Sequence, residues 1–464
     1  MDNEVKCGTL EVFENRETRQ GRKIALNIVV VPAVARNKEP DPVFFFAGGP
    51  GQAAAQLARE ALAIVGGINN KRDLVLVDQR GTGKSNGLAC AFPEPTSPEM
   101  ANPAKRDEVS RKALTECRDK LAKKADLTQY TTTIAMADIE DVREALGYQT
   151  INLWGGSYGT RAAMEYMRRF DSRVRSVVLD GVAPPSLALL ESFARDAGAV
   201  LEKMMLACGK EVKCSKQNAD LKATLDDLLA VLAKVPRSAS VADPVTGLKR
   251  DVMVTREMLL TAVFPALYVP EMAAMLPTAL ASAKQGDFAA LMTIGGVLGD
   301  STEVKLFRGM QLSVVCAEDV PRVRRDGLQP QPFGQLFVGE FEKACALWPK
   351  GGMSKDFDQP VKSAKPVLIL SGALDPVTPP QYGEEVKKNF PNSLHAIAPN
   401  IGHGVSHRGC GPKLIKKFIE TASLVDLDIK CLERMPRPTF FEPLREPVKA
   451  AEAKSPLLNV ESTR

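Results

Sequence analysis

Histidine is scarce in this chain: three residues among 464, all between positions 395 and 407. A histidine-built metal site is therefore poorly supported, and no C-x-x-C knuckle offers a cysteine one. No metal and no cofactor is expected. Long apolar runs are also missing. None reaches the roughly 18 residues that a membrane helix needs, and the longest, around Ile28 to Val34, is interrupted by Pro32. No membrane span is expected. Charge of one sign is not concentrated either. Lys and Arg exceed Asp and Glu by only five, and they are scattered. A nucleic-acid protein shows a concentrated basic face, so nucleic acid is not an expected partner. The start, Met1-Asp2-Asn3-Glu4, has no basic-then-apolar leader. Either the protein stays in the cytoplasm or a leader has been removed, and Cys7 so near the start favours a trimmed chain.

Hydrophobic residues at 44% and charged residues at 25% fit a globular protein, and 464 residues favour more than one domain. Cysteine is plentiful, with nine residues. Reduced buried thiols and several disulfide connectivities are all open on count alone. Paired cysteines would require an oxidising compartment.

Two extended segments fill the first 35 residues. PVFFFA (Pro42 to Ala47) and DLVLVD (Asp73 to Asp78) are apolar strands closed by glycine turns, with a helical stretch from Ala53 to Ile64 between them. Helical periodicity follows over 108–125 and 132–146. TINLWG (Thr150 to Gly155) reads as a strand, SYGTRAAMEYMRRF (Ser157 to Phe170) as a helix and SVVLDG (Ser176 to Gly181) as a strand. Strands apolar on both faces, alternating with helices, indicate a mostly parallel, doubly wound sheet between helical layers. The character changes after Pro184–Pro185. Residues 186–355 are mainly helical and read as an inserted lid, with one hairpin near Ser240 to Val254 turned at Pro244 to Gly247. Alternation resumes at KPVLILSG (Lys365 to Gly372), then a helix from Pro380 to Phe390, a strand from Leu394 to Ala398 and a helix from Cys410 to Thr421. The predicted division is a core of 1–185 and 356–446, a lid of 186–355 and a loose tail of 447–464.

GGSYG, Gly155 to Gly159, fits G-x-S-x-G between a strand and a helix. That is where a nucleophile elbow sits in the α/β-hydrolase fold. The flanking glycines are expected because the neighbouring backbone comes too close for side chains. Ser157 needs a base to take its proton. His403, in a glycine-flanked loop after the last strand, fits the order Ser, acid, His. His395 falls within the strand and is expected to be structural; His407 is the weaker base candidate. For the orienting acid Asp375, in SGALDPVTPP, is preferred to Asp180 in VLDGV. AGGPG (Ala47 to Gly51) is placed to supply oxyanion donors. The Gly49 N–H, with Gly48 as the alternative, would pair with the N–H of Tyr158. GTGKS, Gly81 to Ser85, imitates a phosphate loop but lacks the required glycine five positions before Gly83, where Asp78 stands. It reads as a turn braced by Arg80.

FFFAGGPGQ, VDQRGTGKS, GGSYGT, SGALDPVTP and GHG, in this order, resemble the prolyl iminopeptidase and tripeptidyl aminopeptidase group of α/β-hydrolases, in the style of exported bacterial members with a TAP-like C-terminal region. The resemblance runs from CGTLEV at Cys7 to CLERMPRPTFF near Cys431, and ADPVTG and SVVCAED carry it through the lid. It implies aminopeptidase chemistry through an acyl-enzyme on Ser157, with short peptides as substrates. It also implies export and the disulfides Cys90–Cys117, Cys208–Cys214, Cys316–Cys345 and Cys410–Cys431. In this group lid carboxylates hold the substrate ammonium, which makes Glu318 and Asp319 the candidates here. One departure is Ala47, where many relatives carry His before GGPG.

Three functions compete. A peptidase and a carboxylesterase or amidase for small acyl groups share one mechanism, so motifs do not separate them. The third is an inactive binding protein on the same fold, which has no need of a complete Ser, Asp and His set. Oligomeric state is not legible.

Overall fold

The computed structural model describes residues 4–64, 66–93, 97–218, 220–242, 247–300, 306–325 and 332–442. The expected tail 447–464 and the hairpin turn at 243–246 lie outside the described residues.

Ten strands occur among the described residues: β1 Lys6–Phe13, β2 Lys23–Val31, β3 Val43–Phe46, β4 Leu74–Val77, β5 Ile151–Gly156, β6 Val174–Asp180, β7 Arg237–Ala242, β8 Lys249–Val254, β9 Val367–Gly372 and β10 Ser393–Ala398. Eight of them form one sheet in the order β1-β2-β4-β3-β5-β6-β9-β10. From β4 to β10 every neighbouring pair is parallel. Only β2 on β4 and β1 on β2 run antiparallel. The mostly parallel sheet of an α/β-hydrolase fold is thus present.

The apolar runs explain the layering. In β4 and β9 every residue is buried, and successive side chains go to opposite faces. Val75 and Ile369 join Met136, Ile139 and Met164 from helices Thr132–Ala145 and Tyr158–Phe170. Leu74, Leu76, Leu368 and Leu370 join Leu414, Ile415 and Phe418 of helix Gly411–Thr421 on the other side. Burying one such Leu or Ile contributes roughly 1.5–3 kcal/mol, so a sheet covered on one face only would be much weaker.

Between β6 and β9 the chain leaves the sheet. This excursion is mainly helical, carries the antiparallel pair β7–β8, and has its own core around Leu201, Leu260, Leu280 and Leu291. One stretch beyond it joins the same core: Phe440 is buried there, and the Phe441 N–H donates to the Ala274 carbonyl at 3.1 Å. The segment assigned from sequence to the sheet core therefore ends on the helical side.

Four disulfides join Cys90 to Cys117, Cys208 to Cys214, Cys316 to Cys345 and Cys410 to Cys431. Each closes a loop of at most 29 residues and contributes roughly 2–4 kcal/mol by restricting the unfolded chain. Cys7 is free and exposed. Among the described residues no helix is long and apolar enough to cross a membrane.

Candidate active site

Ser157 stands between β5 and helix Tyr158–Phe170 with φ 55° and ψ −125°. A non-glycine residue held there costs roughly 1–3 kcal/mol. Two glycines let the turn close. A Cβ on Gly155 would lie 2.4 Å from the Gly159 carbonyl oxygen, and one on Gly159 would lie 2.1 Å from that of Phe46. The Ser157 N–H donates to the Asp180 carbonyl at 2.9 Å, which ties the turn to the end of β6.

The two other candidate residues arrive at the same edge of the sheet. Asp375 follows β9, the neighbour of β6. His403 lies in the loop after β10 and packs against Gly181, where a Cβ would meet its Cε1 at 3.3 Å. His403 Nδ1 and Asp375 Oδ2 are 2.8 Å apart. Asp375 is fully buried and its carboxylate is fully used. Oδ1 accepts the N–H groups of Val377 and Thr378, and Oδ2 accepts the Thr378 hydroxyl at 2.7 Å. Burial alone would raise this carboxyl. The His403 ring and the two backbone donors outweigh burial and hold it below its ordinary value. Burial likewise pulls His403 down, but the Asp375 carboxylate more than compensates, and the ring ends above its ordinary value.

Asp180, the rival acid, does other work. Its oxygens accept the N–H groups of Val405 and Ser406 at 2.9 and 2.7 Å, so it holds the histidine loop by its backbone. His395 is also accounted for. It is buried in β10 between Glu384 at 2.6 Å and Ser371 at 2.9 Å. His407 is exposed, beyond Gly404.

The glycine loop Ala47 to Gly51 lies beside the nucleophile candidate. A Cβ on Gly48 would lie 3.3 Å from Ser157 Cβ. The Gly48 N–H donates to Gln52 Oε1 at 3.0 Å, so Gly49 is the freer donor of the two. Tyr158 is the first residue of its helix, where an N–H has no intrahelical acceptor and the helix dipole is positive. The GTGKS segment forms a closed turn, with Gly81 N–H on the Ser85 carbonyl at 2.8 Å. Arg80, just before this turn, does not donate into it but anchors its start to neighbouring elements. It is fully buried, pairs with both oxygens of Asp138 and donates to the carbonyls of Glu14 and Gln129.

Glu318 and Asp319 need correction. The ammonium-binding role required them to face a cleft, but both are buried. Asp319 pairs with Arg161 at 2.9 Å, itself fully buried, and accepts the Leu189 N–H. Both oxygens of Glu318 are held by Thr132, through its N–H and its hydroxyl. A buried carboxylate with such partners fastens helices together.

Sequence reasoning also missed Tyr268. This residue of the helical excursion accepts the His403 N–H on its carbonyl at 2.9 Å and sets its ring edge-on to the imidazole, centroids 5.0 Å apart. Nothing local marks it, because it meets His403 from 135 positions away. Thr378 was findable: it stands three residues past Asp375, where a hydroxyl reaches back to a turn-forming carboxylate. A cavity of about 690 Å³ lies elsewhere, lined by Glu211, Glu271, Met275 and Phe441. None of the three candidate residues, Ser157, Asp375 and His403, lines it.

Residues 41–408 match the profile of a family described as the alpha/beta hydrolase fold. Among curated proteins, the chain is 23% identical to the serine protease Hip1 of Mycobacterium tuberculosis, over 84% of this chain and 79% of that one. It is 26% identical to carboxylesterase B of the same organism, over 83% and 78%. A third relative, the tripeptidyl aminopeptidase of Streptomyces lividans, is 25% identical over 39% of this chain and 36% of its own.

Proposed function

This chain belongs to the alpha/beta hydrolase fold family, and from that premise we propose that it is a serine hydrolase, an aminopeptidase that releases N-terminal residues or short peptides. The observation that carries the reading is the strained Ser157 at the end of β5, together with the His403–Asp375 pair beside β6. Ser157 Oγ attacks the substrate carbonyl while His403 Nε2 takes its proton. Asp375 keeps the Nδ1 proton toward itself and stabilises the imidazolium. The tetrahedral oxyanion is met by the N–H groups of Tyr158 and Gly49. His403 then protonates the leaving amine, and water releases the acyl group. The helical excursion acts as a lid, fixed to the site through Tyr268. Relatives called serine protease and tripeptidyl aminopeptidase support the peptide reading. The relative called carboxylesterase B keeps ester hydrolysis as the second reading. Four disulfides support a working place in an oxidising compartment, hence export.

Aminoacyl and tripeptidyl anilides assayed beside p-nitrophenyl esters decide between the two substrates. Turnover of anilides is expected; esters cleaved with no anilide turnover would refute the peptidase. The pH profile has a predicted sign. The base must be neutral, and His403 titrates above its ordinary value of 6.5. Activity is expected to fall as pH drops through an inflection above 6.5, and an acid limb well below that value contradicts the paired histidine.

A further inference from the structure

We propose that Glu318 is a positioning residue for the oxyanion-binding backbone: through Thr132 it fixes the Tyr158 side chain, and with it the N–H that follows Ser157. The proposal rests on the hydrolase reading of Ser157.

Hydrogen-bond polarity supports it. Glu318 Oε1 accepts the Thr132 N–H at 2.6 Å, and Oε2 accepts the Thr132 hydroxyl at 2.8 Å. A hydroxyl has one proton. Having given it to the carboxylate, Thr132 Oγ1 accepts from the Tyr158 hydroxyl at 2.7 Å. The Tyr158 oxygen accepts in turn from Gln79 Nε2 at 3.1 Å. Three side chains thus point their protons one way, toward the carboxylate: Gln79 to Tyr158, Tyr158 to Thr132, Thr132 to Glu318. The Tyr158 ring is fully buried at the first position of the helix that Ser157 opens, so holding its hydroxyl holds the backbone beside the nucleophile.

The carboxylate is well anchored. Glu318 lies in a wide π-type turn, Val315–Asp319, of the kind that recurs at functional sites. Cys316 in this turn is bonded to Cys345. The charged groups facing Glu318 are Arg161, the like-charged Asp319 that pairs with Arg161, and Arg322, whose Nε donates to the Glu318 carbonyl at 2.5 Å. From the other packed elements it meets Thr132 and Tyr158.

The order of the chain depends on the charge. A protonated Glu318 must place its proton on Oε2, because Oε1 already faces an N–H. Thr132 would then donate to Tyr158, and the Tyr158 proton would be driven against the Gln79 amide. Burial pushes the Glu318 carboxyl up to about 7, with Arg161 working against it. The reversal therefore falls near neutral pH.

Glu318→Gln keeps the size and reverses the polarity permanently. Losing an oxyanion donor outright costs about 10² to 10³ in turnover, and a misplaced one should cost less, about 10-fold in kcat with KM unchanged. Thr132→Val and Tyr158→Phe should move kcat the same way, and Thr132→Ser should retain it. Rates are expressed per active site, counted by titration with a fluorophosphonate. The acid limb of kcat/KM in the wild type should be locally steeper than a slope of one, because protonation of Glu318 adds its own loss of about 10-fold to that of His403, and in Glu318→Gln the limb should return to a slope of one. Wild-type kcat and an unchanged acid limb in Glu318→Gln and Thr132→Val would overturn the proposal. So would rates that fall only in proportion to the number of titratable sites. A wild type inert to the fluorophosphonate removes the hydrolase reading itself, and this proposal with it.

Discussion

Ser157→Ala is expected to lower kcat by about 10⁶ while the protein stays folded. The magnitude is that of losing the nucleophile from a triad that acts as a unit. The fold should tolerate the change for local reasons. Ser157 makes no side-chain cap bond to its helix, and the close contacts of the turn are made by Gly155 and Gly159. Alanine meets the same backbone strain as serine at φ 55°. Stability should therefore move by no more than about 0.5 kcal/mol. Thermal unfolding and the anilide assay on one preparation check both halves. An unfolded variant, or one that keeps its turnover, contradicts the assignment.

Asp375→Asn carries the second largest effect, about 10⁴ in kcat. The replacement amide can keep its oxygen on the N–H groups of Val377 and Thr378, where Oδ1 sits now. Its NH₂ then faces His403 Nδ1 in place of a carboxylate oxygen. The ring must accept at Nδ1, which places its proton on Nε2, and it can no longer take one from serine. The imidazolium also loses the charge that raises it. Whatever activity remains should have its acid limb moved to lower pH. Residual kcat and the pH profile, measured together, check this. A variant with near-wild-type kcat and an unmoved limb would leave Asp375 without its role, and Asp180 would have to be reconsidered.

Much of the site was legible because its signals are local. A strand, G-x-S-x-G and a helix follow one another directly, and the close approaches at Gly155 and Gly159 are those the motif demands. Three histidines left few bases to choose among. The parallel sheet was legible from strands apolar on both faces. Contacts made across the chain were not. Tyr268 reaches His403, and Thr132 reaches Glu318 from 186 positions away. Glu318 and Asp319 show the cost of that blindness. Residue type gave two carboxylates in a lid, but only packing shows that they point inward, onto Thr132 and Arg161. The choice between Gly48 and Gly49 stayed open for a similar reason, since it turns on where the Gln52 side chain folds back.

The central claim is that one hydroxyl, at Ser157, is activated by His403. A fluorophosphonate probe followed by peptide mapping in a mass spectrometer tests it directly. The adduct is expected on Ser157 alone, and its formation should collapse in folded His403→Ala. An adduct on another serine, or full-rate labelling of Ser157 without His403, would contradict the account.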